Sequence, residues 1–367
     1  MAVKTRLQVF RKDAGLTQAD LAEAVGISRQ AYAAIEAGRA VPSTEVALRL
    51  ARRLHTTVEE LFRLDDDSND AVEAELIGAD SVPHGTRVQL LQIGSRLLAR
   101  PLVGEQSESR LLVPADGTVT GVGAAEKTLR VKPESVSRAP TLALMGCDPS
   151  ISFVDALIRE RGVQVAWTEA ASRASLQALA RGEAHIAGCH FLDRTTETYN
   201  LPLVKSLVPF PCTLVRFAIW QEGLIVAAGN PKSIRGVDDL ARPDVTLINR
   251  QEGSGARGLL HRLMSRAGLA PSDVKGYDRC VNGHMELARQ IRLGTADCGI
   301  GVKAAARANG LDFLLLDEEP YDLVIPNHFL ELPAVRSLLD VLRTRDLRRQ
   351  VEALGGYDTS QMGLLYA

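Results

Sequence analysis

Hydrophobic positions along the chain keep three different rhythms, and each predicts its own kind of structure. Up to Leu64 they recur at helical spacing in short runs punctuated by Gly, Pro, Ser and Thr. In "LTQADLAEAVGISRQAYAAIEAG" (Leu16 to Gly38), Leu21, Ala22 and Val25 form one apolar face, Thr17 is a natural N-cap, Gly26 ends the helix and Ser28 caps the next. Ala31, Ile35 and the opening "RLQVFRKD" supply core partners, Pro42 and Ser43 start an amphipathic "PSTEVALRLARRL", and "TVEELF" follows. Residues 1–64 therefore read as an all-α domain of short helices around a tight turn, which is helix-turn-helix grammar. From Gly85 to Arg138 the runs become β-like ("TRVQLLQIG", "RLLARPLV", "TLRVKP"), so residues 85–138 read as a small β-rich connector. Beyond it, apolar strands alternate with amphipathic helices: "TLALMGCD", "SFVDALIRERG", "VQVAWTEA", "SLQALARGE", "AHIAGCH", and again from "VTLINRQ" to "LDFLLLD". Residues 139–367 are thus expected to form an α/β domain with a parallel sheet. Its two lobes would be joined by extended crossings around Phe217–Ala228 and Tyr321–Leu330.

Charge sharpens these divisions. Residues 1–64 hold ten Lys/Arg against seven Asp/Glu, whereas residues 65–80 hold seven acids and no base. Residues 65–84 are accordingly read as an acidic linker, either a solvated tether or a strip that competes with DNA for the basic domain. A length of 367 residues, 46% hydrophobic and 24% charged, suits several soluble domains. No apolar run reaches membrane-spanning length and no signal-peptide core opens the chain, so a cytoplasmic protein with no membrane partner is expected. The five cysteines are scattered without a CxxC pair. His185 and His190 stand five apart on a strand with no carboxylate pair nearby, so no metal and no resident cofactor are expected.

The candidate chemistry sits where strands of the α/β domain end, the usual place for a ligand between lobes. Those loops contain Ser150; Ser172 and Ser175; Arg250 with Gly253, Ser254, Gly255, Ala256 and Arg257; and His284. Most run directly into helix N-termini, whose free N–H groups attract a compact anion. The serines would serve equally well as plain N-caps, and Arg257 as a helix-surface charge. Asp148 would repel an anion if it faced the cleft, or else cap a helix or bond a ligand hydroxyl. Arg250, placed between a strand end and a glycine turn, is the strongest candidate. Gly253, Gly255 and Gly258 also fit a GxGxxG dinucleotide fingerprint, with Asp278 twenty residues on as the ribose ligand, so an NAD-responsive regulator or NAD-dependent oxidoreductase is the alternative.

The first segment resembles the phage-repressor (XRE-like) type of helix-turn-helix through Gln18, Leu21, Ala22, Gly26, Ile27, Ser28, Ile35, Glu36, Gly38 and Pro42. That resemblance implies a second helix in the major groove of double-stranded operator DNA, with Thr17, Gln18, Ser28, Arg29, Gln30 and Tyr32 at the contact face. The α/β segment resembles the type II periplasmic-binding-protein fold, nearest to molybdate-binding-like domains, in "GCDPS", "RGEAHIAGCHFLD", "NRQEGSGARGLL" and "YDLVIP". It implies a tetrahedral oxyanion such as molybdate or tungstate held by hydroxyls, backbone N–H groups and Arg250. Ala256 stands where tungstate binders carry Thr, and Cys-Asp-Pro-Ser replaces their first Thr/Ser loop. Together these features predict a non-enzymatic, ligand-responsive transcription regulator that binds DNA as a homodimer.

Overall fold

A computed structural model describes residues 3–64, 71–104, 113–134, 139–193 and 195–366. In the first domain, helices α1 (Leu7–Asp13), α2 (Gln18–Val25), α3 (Arg29–Glu36), α4 (Thr44–Arg53) and α5 (Val58–Leu61) follow strand β1 (Val3–Thr5), which pairs antiparallel with β2 (Phe62–Leu64). Local chemistry places each boundary. Thr17 and Asp20 form a reciprocal capping box, Gly26 closes α2 in the left-handed region at φ 75°, and Ser28, Ser43 and Thr57 cap the helices that follow. Leu7, Leu21, Val25, Tyr32, Ile35, Leu50 and Leu61 fill the core.

The segment expected to be an acidic linker contributes a strand. Residues 65–70 lie outside the described residues, but β3 (Val72–Leu76) closes a five-stranded barrel with β4 (Arg87–Ile93), β5 (Arg96–Pro101), β6 (Gly117–Val122) and β7 (Thr128–Pro133), in the order β3-β5-β4-β6-β7. The acid count concealed an alternation. Val72, Ala74 and Leu76 turn into the barrel core, while Glu73 accepts from the Ala124 N–H and Glu75 pairs with Arg96. The barrel leans on the first lobe of the α/β domain: Ile77, Leu91, Ile93 and Leu98 pack with Ala143, Ala166 and Phe329, and Arg96 donates to the carbonyl of Arg181 at 2.7 Å.

That lobe carries β8 (Thr141–Gly146), α6 (Ile151–Arg159), β9 (Gln164–Glu169), α7 (Ser172–Ala180), β10 (Ile186–Cys189) and α8 (Leu201–Leu207). Two fifteen-residue strands, β11 (Cys212–Val226) and the later Asp312–Pro326, are the expected crossings, each beginning and ending earlier than the sequence suggested. The second lobe holds β12 (Asn249–Arg250), α9 (Gly255–Arg266), β13 (Cys280–Val281), α10 (His284–Arg292), β14 (Cys298–Val302) and α11 (Lys303–Ala308), after which β15 (Asp312–Pro326) returns to the first lobe. Helices α12 (Pro333–Leu342) and α13 (Arg345–Leu354) then pack on the first lobe beside α6. The main sheet runs β14-β11-β15-β10-β8-β9 and is mixed: β10, β8 and β9 are parallel as expected, but β11 and β15 pair antiparallel. The expected strands "VTLINRQ" and "VKGYDRC" shorten to two residues each, because Val245, Leu247, Val274 and Tyr277 turn irregularly into the second lobe's core.

Candidate functional site

The lobes meet over a closed, polar chamber. Alternation along β11 and β15 puts Trp220 and Glu222 beside Glu319 and Tyr321, with Trp220 directly opposite Glu319 in the ladder. From the first lobe come Cys147, Asp148 and His190, and from the second Arg250 and His284; all nine side chains are at most 2% exposed. Gly188, with Gly146 on the neighbouring strand, leaves room for the Tyr321 hydroxyl, since a side chain at either position would overlap it. Gly255 does the same for His190, so the second lobe's glycine turn seats directly on the first. Gly253, at φ 81°, lies against the Arg173 side chain and accepts the Arg173 N–H through its carbonyl at 3.5 Å.

An unusual share of this chamber's polar atoms have no hydrogen-bond partner among the described residues. They are Nη1 and Nη2 of Arg250, Nε1 of Trp220, Oη of Tyr321, Nε2 of His190, both ring nitrogens of His284, Oδ2 of Asp148 and both carboxyl oxygens of Glu222. Buried polar groups are ordinarily satisfied, so a cluster of orphans points to a ligand that completes them. Arg250 is oriented through its Nε, which donates to Gln251 at 3.0 Å. His190 Nδ1 donates to Glu319 at 3.2 Å, which leaves Nε2 facing inward. Asp148 Oδ1 accepts from the Ser150 N–H, the Ser150 hydroxyl and the Tyr357 hydroxyl at 2.7–2.9 Å.

Burial governs the protonation states. It raises Asp148 to about 6 against the hydrogen bonds of Ser150 and Tyr357, and together with the charge of Glu319 it holds Glu222 well above the carboxylate range. Burial also lowers His190 and His284, with Arg250 pushing His284 further down. Glu319 goes the other way: burial raises it, but the His190 hydrogen bond and the charge of Arg262, together with its other contacts, outweigh that and lower it. Among these nine side chains Arg250 is the one fixed cation.

The residues expected at the site divide into groups. Arg250 and His284 present unpaired polar atoms to the chamber, and Gly253 and Gly255 form the contact between lobes. Ser172 exchanges hydrogen bonds with the His190 backbone, Ser175 bonds the Ala170 carbonyl, and Ser254 caps α9. Ser150 is spent on Asp148. Ala256 is in the second lobe's core, and Arg257 points away, to the Arg250 carbonyl, Cys280 Sγ at 3.1 Å and the Tyr277 ring. Outside the chamber a cavity of about 250 Å³, lined by Arg173, Gly253, Arg257 and Arg262 among others, marks the mouth between the lobes.

The dinucleotide geometry is not formed. Gly258 has open space where its side chain would point, so no close strand packing requires it, and Asp278 is exposed in a turn before β13 instead of at a strand end. His185 and His190 also separate: His185 Nδ1 accepts the Ala143 N–H, whereas His190 Nδ1 donates to Glu319. Ligand atoms of Cys147, His190 and His284 lie within 4.8 Å of one another, as do those of His190, Glu222 and Glu319.

At the other end of the chain, Arg29 and Gln30 are exposed on the first turn of α3, and Thr17 and Ser28 are exposed caps. Tyr32 corrects the expectation: it is fully buried, on the same helix face as Ile35, and cannot reach DNA. Gln18 is half-buried and donates to Glu36, which also pairs with Arg11 at 2.7 Å.

A helix-turn-helix family model matches residues 7–61, and a model described as the PBP superfamily domain matches residues 155–343. The chain is 46% identical over 66 residues to an uncharacterized HTH-type transcriptional regulator of Methanothermobacter thermautotrophicus, covering 18% of this chain and 96% of that one. It is 37% identical over 190 residues to the uncharacterized protein YvgK of Bacillus subtilis, covering 52% of this chain and 61% of YvgK, so it spans about three-fifths of that relative's length. Among solved structures, the sulfate-binding protein SubI of Mycobacterium tuberculosis superposes with a TM-score of 0.44 at 18% identity, covering 59% of this chain and 86% of that one.

Proposed function

This chain belongs to the PBP superfamily and carries the helix-turn-helix of HTH-type transcriptional regulators, and from that premise we propose that a compact oxyanion closing the two lobes sets its affinity for double-stranded operator DNA. The observation that carries the reading is Arg250: a guanidinium 1% exposed, with Nη1 and Nη2 unpaired, in a chamber that also aims the Trp220 indole N–H and the Tyr321 hydroxyl inward. A buried guanidinium with two nitrogens lacking hydrogen-bond partners is costly, and an anion meets that need with charge-assisted hydrogen bonds. Burial and the neighbouring Glu319 push the Glu222 carboxyl up, which favours the protonated form that can donate to an anion. Molybdate and tungstate are the first candidates, with sulfate and phosphate close in shape and charge.

Coupling follows from where the contacts lie. Ligand groups from both lobes converge only when the Gly253–Gly255 turn sits on the first lobe, so the anion favours closure by its differential affinity. The barrel, packed on the first lobe and preceding it in the chain, carries that change toward a cytoplasmic, homodimeric regulator's paired DNA-binding domains. Typical coupling of about 1–3 kcal/mol would alter operator affinity roughly 5- to 150-fold.

Calorimetry with molybdate, tungstate, sulfate and phosphate, each in the presence of a chelator, tests the ligand class; Arg250→Ala is expected to abolish the binding seen. Operator titration at fixed salt with and without the anion that binds then tests the switch. Tight binding of NAD with none of the four anions would refute the reading.

A further inference from the structure

We propose that the chamber contains a transition-metal site of the Zn²⁺ type, formed by Cys147 Sγ, His190 Nε2 and His284, with an open fourth position. Three observations meet there. The three side chains are 2%, 0% and 0% exposed, and their ligand atoms lie within 4.8 Å of one another. A tetrahedral ion, with bonds of about 2.0 Å to nitrogen and 2.3 Å to sulfur, sets such atoms roughly 3.5 Å apart. Small rotations of the imidazoles therefore suffice.

The second observation is the unmet hydrogen bonding. Neither nitrogen of His284 and not Nε2 of His190 has a partner among the described residues, in a region where water has no surface access to them. A dry, unpaired imidazole is expensive. The third is the support behind His190. Its Nδ1 donates to Glu319 at 3.2 Å, and Arg262 Nη2 stands 3.7 Å from the other Glu319 oxygen. A carboxylate on the far nitrogen is the arrangement that orients a metal-binding histidine and raises its basicity. It also selects Nε2 as the free ligand atom.

Arg250 opposes a bare dication in the same chamber. The Cys147 thiolate formed on metal binding and the Glu319 carboxylate supply two negative charges against it, and the open position takes water or an anion that Arg250 can hold. One imidazole pair and one thiolate suit Zn²⁺, Co²⁺ and their neighbours better than Mg²⁺ or Ca²⁺, which prefer oxygen ligands. The site is complete without the oxyanion and does not rest on that reading.

Co²⁺ reports on such a site directly. The full-length chain, kept reduced by a thiol-free reductant, should take up one Co²⁺ and develop a thiolate-to-cobalt charge-transfer band with the intense visible bands of tetrahedral Co²⁺; Zn²⁺ should bleach both. Cys147→Ser should lose the charge-transfer band. Glu319→Gln, which leaves all three ligands in place, should keep the spectrum and weaken binding roughly 10- to 100-fold; it keeps the test open if Cys147→Ser does not fold. No stoichiometric uptake, or a weak octahedral spectrum without the charge-transfer band as the His190–Glu222–Glu319 group would give, overturns the proposal. So does a band that survives in folded Cys147→Ser. Because the oxyanion titrations contain chelator, either result stands whatever the other shows.

Discussion

Gly255→Ala isolates lobe closure from every other feature of the domain. A carbon added at Gly255 would lie 2.5 Å from His190 Cε1, where ordinary contact requires about 3.5 Å, and would also overlap His190 Nδ1 and its carbonyl oxygen. The histidine cannot step aside. Its carbonyl accepts from Ser172, its N–H donates to the same hydroxyl, and its ring is tied to Glu319 and set edge-on to Trp220, with ring centroids 4.6 Å apart. Overpacking of this kind costs about 1–3 kcal/mol. Because the two residues belong to different lobes, the strain is relieved by opening the cleft by about 1 Å, and the cost falls on the closed form. Affinity for the closing ligand should therefore drop roughly 5- to 150-fold, while each lobe keeps its own core. Gly258→Ala is the matched control: three residues along the same helix, with open space around it, it should leave affinity unchanged and raise stability by about 0.4–1 kcal/mol. Calorimetry with the anion that binds the unmodified protein, alongside thermal melts without ligand, separates the effects. Unchanged affinity in a folded Gly255→Ala protein would mean that ligand is held without the contact between Gly255 and His190, and the closure argument would fail.

Two further outcomes concern the DNA-binding domain. Arg29→Ala or Gln30→Ala should cost about 1–3 kcal/mol on the specific operator and little on random DNA in titrations at fixed salt; equal losses on both would limit these side chains to phosphate contacts. Glu36 has its pKa lowered because hydrogen bonds from Arg11 and Gln18, with the charge of Arg11, outweigh its burial, so its stabilising effect is full above the ordinary carboxylate value and is lost as pH falls through the lowered one. Glu36→Gln should thus destabilise the domain by about 1–3 kcal/mol at pH 7, with the gap in melting temperature closing as pH falls through the lowered value, and a gap independent of pH would show that the ion pair is not the cause.

Much of the helical domain was legible because its boundaries are set locally. Thr17, Gly26, Ser28 and Ser43 act within three or four residues of themselves, and the structure uses each as a cap or stop. Tyr32 was misplaced by position in the motif, although its spacing from Ile35 already assigns it to the core face. In the linker the error came from composition: seven acids outweighed an alternation of Val72, Ala74 and Leu76 that only the barrel's other strands make meaningful.

The chamber was half legible for a different reason. Arg250 is marked by its neighbours in sequence, a strand end before a glycine turn, and needs no partner to be noticed. His190, Trp220, Glu222, Glu319 and Tyr321 acquire their roles from pairings almost a hundred residues apart: Trp220 faces Glu319 and Ala218 faces Tyr321 only in the register that β11 and β15 adopt, with bulges on either side. The signal was nevertheless present in period two. Within "AIWQEGLIV" and "EEPYDLVIP", Trp220 and Glu222, then Glu319 and Tyr321, fall at alternate positions of long strands whose remaining residues are largely apolar, and alternation puts each pair on one face. A glutamate in such a strand is expensive to bury, and two of them facing one histidine are more so. The fold meets that expense by raising Glu222 toward its protonated form and setting Glu319 against the His190 Nδ1–H and Arg262, which fixes the direction in which His190 presents its free nitrogen. The buried acids are therefore part of how the chamber is aimed, and their position in otherwise apolar crossings marks the site as clearly as the glycine turn does.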